Sequence, residues 1–336
     1  GLKNLVFKTD LNSDEDISNN TLNKSYFVFP LVPYPYSTSF ETSAAYWNAT
    51  GQNVSWQWGV PSATTINQAS HGTKAWVTNL KSSYLNGELS YLESPCFDLS
   101  TAEYPVFEFD YMMQTEEGED GFAIEYSING GVDWEPLEKN LNYSSNWYDT
   151  PFVTALGSDG WSQTTSNYET AKNLLPANAL GINGVKIRFV FASNSINTFE
   201  GVSIDNIKLY ELPYNTSITS LTSPDDECEI GSTTLGFNIK NTGYKPIPSG
   251  TEIPLKIKAN EESVVSETLT LSANLLSNSE IEYITTNTFD LTSAGFHNLI
   301  IYSDLLIDDD RTNDTLETQV EVYGMPDFSM DAVIGT

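Results

Sequence analysis

The chain reads as an all-β protein of two sandwich modules, and three observations predict this. Short runs with apolar residues at every second position recur along the chain, clusters of Gly, Asn, Asp and Ser separate them, and only residues 169–175 resemble a short helix. The runs 106–111, 122–126, 185–191 and 204–210 alternate with the period of a strand buried on one face, with turn clusters such as NGG at 129–131 between runs. The length sets the number of modules. With 336 residues, 39% of them hydrophobic, the chain can fill two cores of ordinary size, whereas one domain of this length would be unusually large.

Composition changes once along the chain. All seven Trp lie between Trp47 and Trp161, and from Leu212-Pro213 onward the sequence turns to Thr, Ser, Leu and Ile and holds none. A boundary is therefore expected near residues 212–222. The second region repeats the strand theme at 234–239, 253–257 and 268–271 and ends in a hairpin. Its size, about 110 residues with roughly seven strands, fits an immunoglobulin-like sandwich.

An internal repeat organises the whole. Residues 1–28 (GLKNLVFKTDLNSDEDISNNTLNKSYFV) align without gaps to residues 295–322 (GFHNLIIYSDLLIDDDRTNDTLETQVEV), an offset of 294. Eleven of the 28 pairs are identical, where chance would give roughly two, and the substitutions keep character, as in Val6 with Ile300 and Thr9 with Ser303. Each copy is a strand, an acidic turn (10–20 and 304–314) and a second strand, the pattern of a β-hairpin. A lone hairpin is marginal in water, so the first copy is expected to be the last hairpin of a preceding module.

Charge narrows the partners. Asp and Glu number 45 against 15 Lys and Arg, a formal charge of −30. Such a surface repels phosphate, which excludes nucleic acid and anionic membrane, and its carboxylates suit hard divalent cations, calcium first. No apolar run approaches the ~18 residues of a membrane span, and no signal-peptide pattern opens the chain, which carries little weight if the chain starts inside a module. Cys96 and Cys228 fall in different regions and are expected as buried free thiols.

Several motifs carry a family resemblance. In order, Phe40-Glu41, WQWGVP at 56–61, ASHGTKAW at 69–76, SPCFDLS at 94–100, DGFAIEYS at 120–127, GGVDW at 130–134, Gly160-Trp161 and GVSIDNI at 201–207 resemble the MAM-like jelly rolls of adhesion receptors and of large secreted Bacteroidota proteins. CEIG at 228–231, IKNTG at 239–243 and the Asn313-Asp314 hairpin resemble CARDB-type adhesion modules. The resemblance implies a jelly-roll β-sandwich followed by an immunoglobulin-like β-sandwich. The expected layout is a closing hairpin of a preceding immunoglobulin-like repeat (1–32), a MAM-like jelly roll (33–212), a CARDB/immunoglobulin-like domain (213–324) and a linker or the start of the next module (325–336).

The resemblance also implies a structural calcium ion. Glu41 is expected on the first jelly-roll strand and Asp205 on the last, side by side, with loop carbonyls around Gly72 and Thr73 completing a cage. A second, weaker metal candidate is Asp308, Asp310 and Asp314, the densest acidic cluster together with Asp309 and Asn313. It is echoed by Asp14, Glu15 and Asp16 and lacks the spacing of an EF-hand, so a solvated hairpin tip is the favoured reading. Trp47, Trp147 and Tyr148 are the candidate aromatic platforms for sugar rings, whereas Trp56, Trp58, Trp76, Trp134 and Trp161 belong to the family framework and are expected in the core. DTL at 314–316 fits the short O-glycosylation pattern of Bacteroidota.

Catalysis finds no motif. His71 and His297 stand alone, with no HExxH helix, no nucleophile elbow and no Cys near a His, so no catalytic residue is expected. The expected function is a repeat segment of a large cell-surface or secreted adhesin, similar to the gliding-motility adhesins that the type IX pathway exports to the surface of Gram-negative bacteria. Polysaccharide or surface glycan and neighbouring repeats of the same chain are its expected partners. The alternative is a carbohydrate-binding accessory region of a secreted polysaccharide- or protein-degrading enzyme.

Overall fold

Alternation along each strand sends apolar side chains to one face, and pairing those faces creates the two cores. The computed structural model describes residues 2–324 apart from 12, 28, 29, 229 and 309, so the segment 325–336 and Asp309 lie outside the described residues. The chain divides into two compact units between Glu211 and Leu212.

Unit 1 opens with a hairpin of β1 (Leu2–Lys8) and β2 (Thr21–Phe27), a two-stranded sheet of its own. There follow β3 (Leu31–Pro33), β4 (Tyr36–Thr38), β5 (Asn48–Gln52), β6 (Trp56–Gly59), β7 (Ala75–Thr78), β8 (Leu89–Glu93) and β9 (Cys96–Asp98). The longer strands come next: β10 (Pro105–Gln114) and β11 (Gly121–Ser127), then short β12 (Glu135–Pro136), β13 (Thr150–Val153) and β14 (Ser158–Gly160), then β15 (Glu169–Leu174), β16 (Asn183–Ala192) and β17 (Gly201–Glu211).

Two sheets face each other as a sandwich. One runs β15-β10-β17-β7-β6 with β4 also on β17, and the other β12-β11-β16-β8-β5 with β9 joined to β16 and β3 to β9. Parity explains the core: Phe107, Phe109, Tyr111 and Met113 of β10 meet Phe122 and Ile124 of β11 and Val185, Ile187, Phe189 and Phe191 of β16, all buried. Aromatic rings dominate, with Phe109 and Phe189 edge to face at 4.9 Å and Phe122 stacked on Trp161 at 4.6 Å.

The predicted helix is a strand. Residues 169–174 form β15, which pairs antiparallel with β10 from Val106↔Leu174 to Tyr111↔Glu169. Tertiary pairing overrides a sequence of mixed propensity here: β10 supplies an open edge, Tyr111 Oη donates to Glu169 at 2.9 Å, and Ala171 enters the core.

Unit 2 comprises β18 (Thr216–Ser223), β19 (Glu227–Cys228), β20 (Gly231–Thr233), β21 (Gly236–Asn241), β22 (Glu252–Ala259), β23 (Val265–Thr270), β24 (Glu280–Ile284), β25 (Phe289–Leu291), β26 (Gly295–Ser303) and β27 (Thr315–Tyr323). A three-stranded sheet, β18-β21-β24, packs on a five-stranded one, β19-β27-β26-β22-β23. Ile218, Phe237 and Ile239 from the first meet Leu255, Ile257, Leu299, Ile301, Val320 and Val322 from the second. The chain is thus all-β, a sandwich of each kind with a separate hairpin ahead of them. Cys96 is half-buried and Cys228 is exposed on the two-residue edge strand β19, which corrects the expectation of two buried thiols.

Candidate functional site

The first and last strands of one sheet of the unit 1 sandwich lie side by side: β4 pairs with β17 from Leu209↔Tyr36 to Ile207↔Thr38. A β-bulge then shapes what β17 presents. The register with β10 shifts between Glu108 and Asp110, and Asn206 takes the left-handed conformation, φ 47°. Ile204 and Ile207 both stay in the core, while Asp205 becomes the register partner of Asp110.

Two carboxylates therefore face each other inside the protein, Asp205 fully buried and Asp110 nearly so. Asp205 accepts the amides of His71 (2.8 Å) and Asn206 (2.7 Å). Asp110 accepts from Ser70 Oγ (2.6 Å), Thr170 Oγ1 (2.6 Å) and Asn206 Nδ2 (3.0 Å). Among the described residues neither makes an ion pair. Burial pushes the Asp205 carboxyl up to about 6, and the charge of Asp110 adds to the shift that the amides of His71 and Asn206 oppose.

Glu41 is not on a strand. It follows β4 in a bend, and the loop of residues 70–74 closes over it. Thr73 and Lys74 donate their amides to Glu41 Oε1 at 2.9 and 2.7 Å, and Thr73 Oγ1 donates to Oε2 at 3.1 Å. The Lys74 and Thr73 amides hold the Glu41 carboxyl below its ordinary range. Gly72, at φ 71°, makes this possible: a Cβ there would stand 2.3 Å from Glu41 Cδ. One loop thus grips Asp205 through His71 and Glu41 through Thr73 and Lys74. It offers them amides and a hydroxyl, not the carbonyl oxygens expected around Gly72 and Thr73, because the left-handed glycine turns successive N–H groups inward as an anion nest.

The residues still suit a hard cation in chemistry. All the candidate ligand atoms are oxygens; each Asp205 oxygen accepts one amide and retains a second lone pair, whereas Glu41 Oε1 already accepts two amides and leaves Oε2 as the Glu41 oxygen with room for a cation. A cavity of about 410 Å3 beside the loop is lined by Ser37, Thr38, Glu41, His71 and Asn206, among others. Among the described residues no three Asp, Glu, His or Cys side chains converge in metal-binding geometry, so carbonyl, hydroxyl or water oxygens have to supply the remaining ligands.

The acidic turn of unit 2 is a correction to the solvated-tip reading. Among the described acids of the cluster Asp308 and Asp314 are buried and Asp310 is half-buried, whereas Leu306, Ile307, Arg311 and Thr312 of the same turn are exposed. Asp308 accepts the amide and hydroxyl of Thr216 at 2.5 and 2.7 Å, so it ties the turn to the start of β18. Asp314 accepts from Ser303 Oγ at 3.1 Å, and burial followed by the charge of Asp308 raises its carboxyl to about 6. Asp310 accepts the amide of Thr312 at 3.1 Å and caps the turn.

The aromatic candidates are also corrected. Trp47 is buried, its Nε1 donating to Tyr36 Oη at 3.1 Å, and Trp147 is buried, donating to Leu137 O at 3.1 Å. Tyr148 packs against that core and donates to Leu137 O at 3.0 Å. The reason is backbone conformation: positive φ at Tyr46, Asn146 and Tyr148 turns these loops so that the Trp rings point inward. Of the framework Trp, Trp56, Trp76 and Trp161 are buried and Trp58 packs against the same core.

Trp134 is the exception, and sequence reasoning missed its neighbourhood. It lies half-exposed against Arg188, with the guanidinium carbon 4.1 Å from its ring centroid and 4.0 Å from that of Tyr91. Arg188 stands in register between Glu93 of β8 and Glu125 of β11 and donates from Nε to Glu125 at 2.6 Å. Lys186 bridges to Glu93 at 2.6 Å. The signal was present in the alternation of β16, whose Lys186 and Arg188 point opposite to Ile187 and Phe189. His71 lends its backbone amide to Asp205, and His297 is buried with Asn260 and Ser293 as its partners at 2.9 and 2.8 Å.

No family model matches the chain. A stretch of 122 residues is 30% identical to Bacillopeptidase F of Bacillus subtilis (strain 168), covering 36% of this chain and 8% of that protein, so the chain spans under a tenth of the relative's length. Among solved structures, the K1 cleaved adhesin domain of Lys-gingipain from Porphyromonas gingivalis W83 is similar at TM-score 0.32 and 14% identity, covering 53% of this chain and 98% of that one. The adhesin domain of Epf from Streptococcus pyogenes is similar at TM-score 0.34 and 11% identity, covering 87% and 97%. No helix among the described residues is long and apolar enough to cross a membrane.

Proposed function

We propose that the chain is a repeat segment of a large cell-surface or secreted adhesin, with sandwich modules that serve as stalk and contact elements. The observation that carries this reading is the hairpin that recurs after 294 residues in matching sequence and register. A hairpin that recurs with its strand pairing intact fits tandem modules that stack into an extended array. The finer assignment, MAM-like and CARDB-type modules of a gliding-type adhesin exported by the type IX pathway, belongs to the same proposal and draws on the motifs at 40–76, 94–134 and 201–243. Surface glycan is the proposed ligand. With Trp47 and Trp147 buried and Tyr148 half-buried against the core, the partly exposed pair Tyr91 and Trp134 beside Glu93, Glu125 and Arg188 is a surface that combines ring faces with polar groups.

A structural calcium ion held at Glu41, Thr73 and Asp205 is part of the proposal. Its support is the buried Asp110 and Asp205 pair that no cation offsets among the described residues. A bound divalent ion would supply the missing positive charge and fasten β17 to the loop of residues 70–74.

A second reading, an accessory region of a secreted protein-degrading enzyme, is favoured by the stretch shared with Bacillopeptidase F. A glycan array probed with the chain, with and without calcium, tests the first. Binding to a polysaccharide that Trp134→Ala removes supports it. Absence of binding to any glycan or bacterial surface at micromolar protein contradicts it.

A further inference from the structure

The hairpin β1–β2 has no sheet beside its own two strands, yet it reproduces β26–β27 in detail. Shifted by 294, the pairs Leu2↔Phe27 through Lys8↔Thr21 become Phe296↔Glu321 through Tyr302↔Thr315, which are the observed pairs of β26 and β27. The turns repeat the same hydrogen bonds. Asp14 N donates to Leu11 O (3.1 Å) as Asp308 N does to Leu305 O (3.0 Å), and Thr9 N to Asn20 O (3.0 Å) as Ser303 N to Asp314 O (3.2 Å). Asp14 Oδ1 accepts from Asp16 N at 3.0 Å as Asp308 Oδ1 does from Asp310 N at 3.1 Å, and Asp16 accepts from Ser18 N at 3.0 Å as Asp310 does from Thr312 N at 3.1 Å.

The two hairpins differ in what covers them. Leu299, Ile301 and Leu305 are buried, whereas their counterparts Leu5, Phe7 and Leu11 are 45%, 54% and 65% exposed. In unit 2 the cover has three parts: β22 pairs along β26 from Leu255↔Ser303 to Ala259↔Leu299, Ile218 of β18 and Phe237 and Ile239 of β21 lie in the same core as Leu299 and Ile301, and Thr216 donates to Asp308. A pair of strands that keeps this register and these apolar positions is shaped for the same three surfaces.

We infer that β1–β2 is the closing hairpin of another module of the unit 2 kind, which precedes it in the same polypeptide and whose own strands, equivalent to β18, β21 and β22, cover Leu5, Phe7 and Leu11. This deepens the functional reading and rests on the same repeat. Because Gly1 corresponds to Gly295, the inferred joint is testable: residues 212–294 fused directly to Gly1 of the full 336-residue chain recreate the missing body.

Hydrogen exchange of the β1 and β2 amides is the readout. In the unfused chain they exchange fast, and in the fusion they slow by at least ~100-fold, the protection of a core strand; Leu5→Asp with Phe7→Asp restores fast exchange. Equal exchange in fused and unfused chains overturns the inference. A second measurement stands on the unfused chain alone: Leu5→Asp with Phe7→Asp leaves its thermal transitions unmoved, whereas Leu299→Asp with Ile301→Asp abolishes the unit 2 transition. A lowered transition from the first pair shows that the hairpin is already covered within this chain, and that also overturns it. Glycan binding is scored separately on the same unfused chain, so the adhesin reading can fail while the hairpin reading stands, and the reverse.

Discussion

At the scale of single residues, the informative groups are acids where water cannot reach them. Asp205 is buried opposite Asp110, and its carboxyl is raised from the ordinary 3.8 to about 6. The folded state therefore holds a proton that the unfolded state releases between those values, and stability contributed by this group falls as pH rises through that window. The loss amounts to at most about 3 kcal/mol above pH 6. Glu41 acts in the opposite sense: its lowered carboxyl adds stability above the ordinary value that is lost as pH falls through the folded one. In a chelator, the thermal midpoint of unit 1 should decline from pH 4.5 to pH 7; Asp205→Asn flattens that decline, and calcium reverses it at pH 7 but not at pH 4.5. Gly72→Ala should destabilise unit 1 by about 1–3 kcal/mol, read as a lower thermal midpoint, because the added methyl group meets Glu41 at a positive φ. Trp147→Ala should cost about 3–5 kcal/mol in chemical denaturation without changing glycan binding, since the ring lies in the core.

At the scale of elements, parity decides what was legible. Long regular strands such as β10, β11, β16 and β17 could be read from alternation alone, because a period of two leaves no other way to bury Phe107, Phe109, Phe189 and Phe191 together. Residues in turns escape that logic: sequence spacing makes Trp47 and Trp147 candidate platforms and places Trp134 in the core, and the left-handed residues beside the first two turn their rings inward. Strand β15 resembles a helix in sequence because what makes it a strand is the edge of β10, some sixty residues earlier. The bulge at Asn206 was invisible for the same reason, as it exists only in the pairing of β17 with β10. It yields a sharp expectation. Removing Asn206 restores strict alternation through Ile204, Ile207 and Leu209, so the deletion variant should keep its far-ultraviolet dichroism and fold while losing calcium-dependent stabilisation; loss of the fold contradicts the view that the bulge serves the site.

At the scale of the whole molecule, the organising feature is the hairpin that recurs after 294 residues. A net charge of −30 makes such modules repel one another, and two sandwiches with a hairpin ahead of them are what the proposed repeat would set in one period. The acidic turn gains its meaning at this scale as well: Asp308 and Asp314 are buried because the hairpin closes a module, whereas the first copy keeps the turn's internal bonds and shows its apolar face. The most direct measurement is the mass and peptide map of the native parent protein recovered from its source. Several tandem copies of the hairpin sequence at spacings near 294 residues, with sandwich modules between them, are expected. A parent that carries a single further copy, or none, next to a catalytic domain would contradict that expectation.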